Sequence, residues 1–216
     1  MDFRPTRQPT SELLLSFDAP AGERVAIPPV AVPAMWSGPR IAPWRRFLAR
    51  EVDLVVSGIV GTHFVAWALY GFAPLSADRF FGLFEMRYGA ILDALFGAFV
   101  AMPLNAVFIG LSGSTIGKAV FGVKVVDGTG NPIGIARAFR RELHVWIVGI
   151  CLQLPILAYL AMIAAYRRLK DAGTTPWDAA QGLAVLHRPV GAAQRALDVL
   201  GVAMLLGWLA YGIYGG

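Results

Sequence analysis

The stretch "WRRFLAREVDLVVSGIVG", residues 44–61, sets Arg45, Arg46, Arg50 and Asp53 at the mouth of an apolar run. On a helix, Arg46 and Asp53 are seven residues apart and share a face, while Asp53 follows Arg50 by three, about 60° round. The polar stripe continues to Ser57. A carboxylate just inside a bilayer costs up to about 3 kcal/mol, and pairing with an arginine offsets much of that. Two readings follow: an ion, proton or substrate site, or a structural ion pair that fixes the depth of the helix.

Composition sets the solvent. The 216 residues are 56% hydrophobic and 15% charged, with a mean hydropathy of +0.59. Soluble domains carry roughly 45–50% apolar and about 25% charged residues, so a soluble protein of this composition could not cover its own surface. The net charge of +5 does not indicate nucleic acid as a partner. The basic residues flank apolar runs, as membrane topology signals do, rather than gathering on one polar face with base-reading side chains. The single cysteine, Cys151, lies within an apolar run. It supports neither a disulfide framework nor a metal cluster, and reads as a small buried hydrophobe.

Four apolar runs are visible, at about 54–74, 88–111, 145–166 and 197–216. A helix rises 1.5 Å per residue, so about 20 residues cross a hydrocarbon core of roughly 30 Å. Trp67, Tyr70, Tyr88, Tyr166, Trp208 and Tyr211 stand near run ends, as interface anchors do. In the second run Ala90, Ala94, Gly97, Ala98 and Ala101 line one face, a spacing that lets helices approach closely in lipid. Residues 1–43 hold eight of the fourteen prolines, which rules out a sustained helix or central strand. They read as a disordered, Pro-rich cytoplasmic tail. The expected organisation is that tail, a membrane domain over 44–190 and an additional C-terminal membrane segment over 191–216.

Lys and Arg counts set the topology. Seven precede residue 53, two fall in 75–87, five in 112–144 and five in 167–196. The positive-inside rule puts the N-terminus and the 112–144 segment in the cytoplasm. Four plain crossings would then place 167–196 outside, against the same rule. Either that violation is tolerated, or 145–166 dips in and returns at "LQLPIL", broken at Pro155. The re-entrant reading is preferred, and the plain span stays open beside it. Re-entry leaves three crossings and all basic segments inside. Within 112–144, "VKVVDGTGNPIG" alternates around an Asp-Gly turn, a hairpin signal. "IARAFRRELH" then reads as a basic amphipathic helix at the membrane surface. The expected fold is therefore an all-α membrane protein. It is a small helix bundle of four apolar segments with a cytoplasmic insert of a β-hairpin and an amphipathic helix.

The opening stretch also carries a resemblance. "RRFLAREVD" matches R-x-x-A-x-x-x-D through Arg46, Ala49 and Asp53. "STIGKAVFGVKVVDGTG" matches T-x-G-K-x-x-x-G-x-x-V-x-D-x-x-G through Thr115, Gly117, Lys118, Gly122, Val125, Asp127 and Gly130. "PWDAAQGLAVL" follows H-D-x-x-A-G-T-x-V through Asp178, Gly182 and Val185, with Trp177, Gln181 and Leu183 in place of His, Ala and Thr. In this order the three segments resemble the RDD family of small membrane proteins. The resemblance implies a helical integral membrane domain named for an Arg and two Asp positions, here Arg46, Asp53 and Asp178. Its biochemical role is undefined, with transport the usual suggestion. With the re-entrant topology, the three charges fall on one side and can form one cluster.

Two further ionisable residues lie in the apolar runs, Asp93 in the second and His63 near the middle of the first. A histidine there either relays protons or stays neutral and hydrogen-bonded across helices. Asp93, His63 and Asp53 would make a cation or proton path if they met. "SGSTIGKA" fails as a phosphate loop because Ser112 and Ala119 stand where Gly and Ser/Thr are required. No nucleophile elbow, Cys-His pair or H-E-x-x-H is present, so no catalytic residue, cofactor or metal is expected. The expectation is a non-enzymatic protein of the bacterial inner (plasma) membrane. It is transport-related through its Arg/Asp cluster, or else a scaffold that binds lipid or protein, with self-association plausible for so small a bundle.

Overall fold

The computed structural model of the chain describes residues 34–38 and 41–214. The reading of the Pro-rich tail as disordered falls mostly outside these residues. Besides short 3-10 and π-helical turns, eight α-helices and two short strands are described. They are α1 (Pro43–Phe72), α2 (Pro74–Phe81), α3 (Gly89–Ser112), α4 (Ile116–Val120), β1 (Val123–Val126), α5 (Ile135–His144), α6 (Pro155–Ala172), α7 (Pro176–Ala179), β2 (Ala184–His187) and α8 (Ala192–Tyr214). Among the described residues three helices are long and apolar enough to cross a membrane: α1, α3 and α8 from Ala192 to Gly212.

At 30 residues, α1 is about 45 Å long, well beyond one hydrocarbon core. Pro43 opens it, where a missing N–H is harmless. Its polar first turns extend past the apolar stretch that starts at Leu54. α3 lies alongside α1. A Cβ on Gly58 would sit 3.3 Å from the Gly97 carbonyl oxygen, and one on Gly61 would meet Val100 at 2.8 Å. Ala98 and Ala101 are buried at this seam, while Ala90 and Ala94 are exposed. The small-residue stripe thus serves packing over its second half. At the same seam, Ser57 donates to the buried Asn105 side chain at 2.8 Å.

The third apolar run is not one helix. A π-helical turn at Val145–Gly149 and a 3-10 turn at Cys151–Gln153 follow α5, and α6 starts only at Pro155. Leu154 is extended, as a residue before proline must be. Cys151 and Leu152 take left-handed backbone. The chain therefore breaks at the position the sequence marks with Pro155.

The expected local hairpin does not form. β1 pairs antiparallel with β2, sixty residues downstream, in the register Val123↔His187 to Val126↔Ala184. The turn after β1 closes on itself instead. The Asp127 carboxylate accepts from the Thr129 N–H and hydroxyl at 2.8 and 2.7 Å and from the Asn131 N–H at 3.0 Å. These bonds hold the Asp127 carboxyl below its usual range. Pro132 then offers no N–H for a ladder, and the Gly134 N–H bonds to Gly110 O at 3.1 Å as the chain enters α5. Alternation identifies a strand, not its partner.

The buried core gathers at this end of the molecule. One cluster joins Ala106, Ile109, Val125, Ile133, Ala138 and Leu183, and another joins Ala49, Val52, Phe121 and Val123. The preceding chain is pinned here too. The Lys124 ammonium and the Arg188 guanidinium both lie over the Trp36 ring, and the Gly38 N–H donates to His187 O at 2.9 Å. α8 leaves Val199, Leu200, Leu206 and Leu209 exposed. In water that face would aggregate, whereas in hydrocarbon it is matched to its solvent.

Candidate functional site

Asp53 is wholly buried, and the chain around it is built to hold it. The Gly117 N–H donates to Oδ1 at 2.8 Å, Lys118 Nζ lies 2.7 Å from Oδ2, and the Thr115 hydroxyl donates to Oδ2. Thr115 also caps α4 by accepting from the Lys118 N–H. A Cβ at Gly117 would fall 2.2 Å from the Ala49 carbonyl oxygen, so only glycine lets α4 cross α1 this closely. The T-x-G-K motif is thus a cradle for the carboxylate on α1. Gly122 and Gly130 take positive φ of 60° and 88° in the turns that flank β1.

A second, larger network lies beside it. Asp178, on α7, accepts from Arg141 Nε at 2.8 Å, from the Thr175 hydroxyl at 2.7 Å and from Arg46 Nη1 at 3.4 Å. Arg141, on α5, also binds Glu142 Oε1 at 2.7 Å. Arg50 closes the circuit by pairing with the other oxygen of Glu142. Charges alternate through Arg46, Asp178, Arg141, Glu142 and Arg50, which ties α5 and α7 to consecutive turns of α1. Arg46 Nε also lies 3.4 Å from Nε2 of the buried His187. Burial would raise the Glu142 carboxyl, but Arg50, Lys118 and Arg141 together bring it down to about 2. Burial would lower the Arg141 guanidinium, and Asp178 with Glu142 outweighs it, so Arg141 stays above its usual value.

Arg46 and Asp178 therefore meet, as the motif reading expected. Asp53 does not join them directly. It pairs with Lys118 rather than with an arginine of its own helix, and Arg50, three residues before it, serves Glu142. The two networks touch through Lys118, whose charge acts on Glu142. The proposed path through Asp53, His63 and Asp93 is not assembled. His63 is exposed about 15 Å further along α1, with its Nδ1 2.8 Å from Ile59 O of the preceding turn. Asp93 is exposed on α3 with no hydrogen bond or ion pair to another described residue. Sequence reading missed Glu142, Arg141, Thr175 and His187. "RREL" looked like the solvated face of a surface helix, yet Arg141 and Glu142 are buried beside Ala138. The available signal was an acid among four basic side chains on an amphipathic helix.

A cavity of about 510 Å³ reaches this network between α1, α5, α6 and the sheet. Arg46, Arg50, Lys118, Arg141 and Asp178 line its charged side, and Val125, Val145, Ile163 and Leu169 are among its apolar walls. Among the described residues, no group of three or more His, Cys, Asp or Glu side chains is arranged to hold a metal ion.

The RDD family profile matches residues 41–182. The chain belongs to the RDD family. No curated protein and no solved structure matches it. Every member of both charged networks except His187 lies within the matched RDD region, whereas β2 and α8 follow it. β2 nevertheless completes the sheet that begins at β1. The RDD match and the three apolar helices make this an integral membrane protein.

Proposed function

We propose that this RDD protein binds, and moves across the bacterial inner (plasma) membrane, a small ion or solute at the cavity beside its charged network. The observation that carries the reading is that the cavity wall includes Arg46, Arg50, Arg141 and Asp178. A network that served only to fix helix depth would need no cavity next to it. The pairing of β1 with β2 draws the basic segments 112–144 and 167–196 to the end where α1 begins. That arrangement favours one cytoplasmic face for all three, with the N-terminus inside and the break before Pro155 as a re-entrant turn. The scaffold reading draws on a different observation. Asp53, Glu142 and Asp178 are all engaged by cations and almost fully buried.

The full chain in proteoliposomes decides between them. Currents driven by gradients of sodium, potassium, chloride or acetate are expected for the wild type, with at least a tenfold loss in Asp178→Asn. His63→Gln and Asp93→Asn should conduct as the wild type does, because neither side chain enters the network. Absence of flux for every gradient in a correctly folded preparation favours the scaffold. Equal flux in Asp178→Asn would remove the network from the path.

A further inference from the structure

The cavity has two chemically different halves, and this asymmetry specifies a ligand. The carboxylates of Asp53 and Glu142 stand behind their cations and do not line the cavity. Four cationic side chains do line it, opposed by Asp178 and by the half-buried Glu51. Lys118 and Arg141 have close anionic partners, at 2.7 and 2.8 Å. Arg50 is paired with Glu142 through Nη1, and Arg46 is less closely held. Arg46 reaches Asp178 and His187 only at 3.4 Å. The buried Nε of Arg50 has no hydrogen-bond partner among the described residues. An anionic oxygen in the cavity would be attracted by the Arg46 and Arg50 charges that line it. The two arginines are four residues apart on α1, neighbours on one face that both line the cavity.

The rest of the cavity wall is apolar, with α6 forming one side of it through Met162, Ile163 and Leu169. A hydrated inorganic ion leaves such a wall unsatisfied. A volume of about 510 Å³ lies within the roughly 300–1,000 Å³ typical of small-molecule sites. We propose that the cavity binds an amphiphile, a carboxylate or phosphate head on Arg46 and Arg50 with an alkyl tail along α6. This rests on the reading of the cavity as a ligand site and names the class of ligand.

The test is native mass spectrometry of the full chain released from non-ionic detergent, titrated with dodecanoate, dodecyl phosphate, dodecanol and inorganic phosphate. One dodecanoate or dodecyl phosphate per chain is expected, held at least tenfold more tightly than dodecanol. Arg50→Gln should weaken dodecanoate about tenfold and leave dodecanol unchanged. Because Arg50 also pairs with Glu142, a second variant leaves the ion pairs alone. Ala165 is half-buried on the α6 wall, and Ala165→Phe should fill the cavity and abolish binding of the alkyl anions. Competition by phosphatidic acid in nanodiscs would identify a membrane lipid as the source of the head, and competition by dodecanoate alone would identify a free acid. Both outcomes support the proposal. Equal affinity for dodecanol, or full binding in Ala165→Phe, overturns it. Inorganic phosphate binding as tightly as dodecyl phosphate overturns the tail and leaves the small-ion reading standing. No binding of any probe with flux intact defeats this inference alone, and no binding without flux defeats both.

Discussion

Asp53→Ala is expected to destabilise the protein by about 3–5 kcal/mol, the range for breaking a buried ion pair from one side. Asp53 is wholly buried and Lys118 nearly so, with their charged atoms 2.7 Å apart. Removing the carboxylate leaves the nearly buried ammonium without its anionic partner. It also strips the acceptor from the Gly117 N–H and the Thr115 hydroxyl, at about 1–3 kcal/mol for each buried donor left unmade. Asp53→Asn should lie between wild type and Asp53→Ala, because the amide oxygen still accepts from Gly117 but cannot neutralise Lys118. The double variant Asp53→Leu with Lys118→Met should recover at least half of the loss, since replacing both members of a buried pair by apolar groups is often near neutral. Thermal unfolding in detergent, followed by tryptophan fluorescence, provides the comparison. If the double variant is no more stable than Asp53→Ala, the uncompensated charge is not the origin of the defect, and the Gly117 and Thr115 bonds carry it.

These energetics explain what was legible in the sequence. Arg46 and Asp53 were readable because each is a charge at the mouth of an apolar run, and such residues need partners, whereas Asp178 was readable only through the resemblance of its segment to the RDD closing motif. The partners were less readable, because they are chosen by tertiary geometry. Asp53 had an arginine three residues before it on the same helix, yet the bond goes to Lys118, where Gly117 allows α4 to press against Ala49. Glu142 was hidden for the same reason. Its sequence neighbours Arg140 and Arg141 suggested a basic face toward lipid headgroups, whereas the structure turns Arg141 and Glu142 inward and leaves Ile135 and Phe139 exposed. The break before Pro155 was readable from the backbone chemistry of proline, which needs no partner. The strand at 123–126 was readable from alternation, but its pairing with 184–187 was not, because pairing depends on where α5, α6 and α7 bring the chain back.

Acid should weaken the fold through Glu142, and the sign follows from its position between arginines. Its folded carboxyl is held near about 2, against an ordinary value of 4.5, by Arg50, Lys118 and Arg141 acting against the burial that would raise it. A depressed carboxyl stabilises the fold in full above its unfolded value. That stabilisation declines as pH falls from about 4.5 toward about 2, where the folded form finally takes up its proton. At about 1.4 kcal/mol per pH unit of displacement, the contribution is about 3 kcal/mol. Glu142→Gln should therefore be less stable than wild type at pH 7 by a similar amount, with Arg50 and Arg141 each losing a buried anionic partner. Its stability should also fall less steeply between pH 5 and 3, so the two curves converge in acid. Arg141 adds no slope in this range, because its raised guanidinium stays charged throughout. Melting temperatures at half-unit pH steps would measure the convergence. Parallel curves from pH 7 to 3 would mean that Glu142 titrates alike in the folded and unfolded chain, so that Arg50, Lys118 and Arg141 do not hold its carboxyl down, and the alternating circuit of charges on α1, α5 and α7 would have to be redrawn.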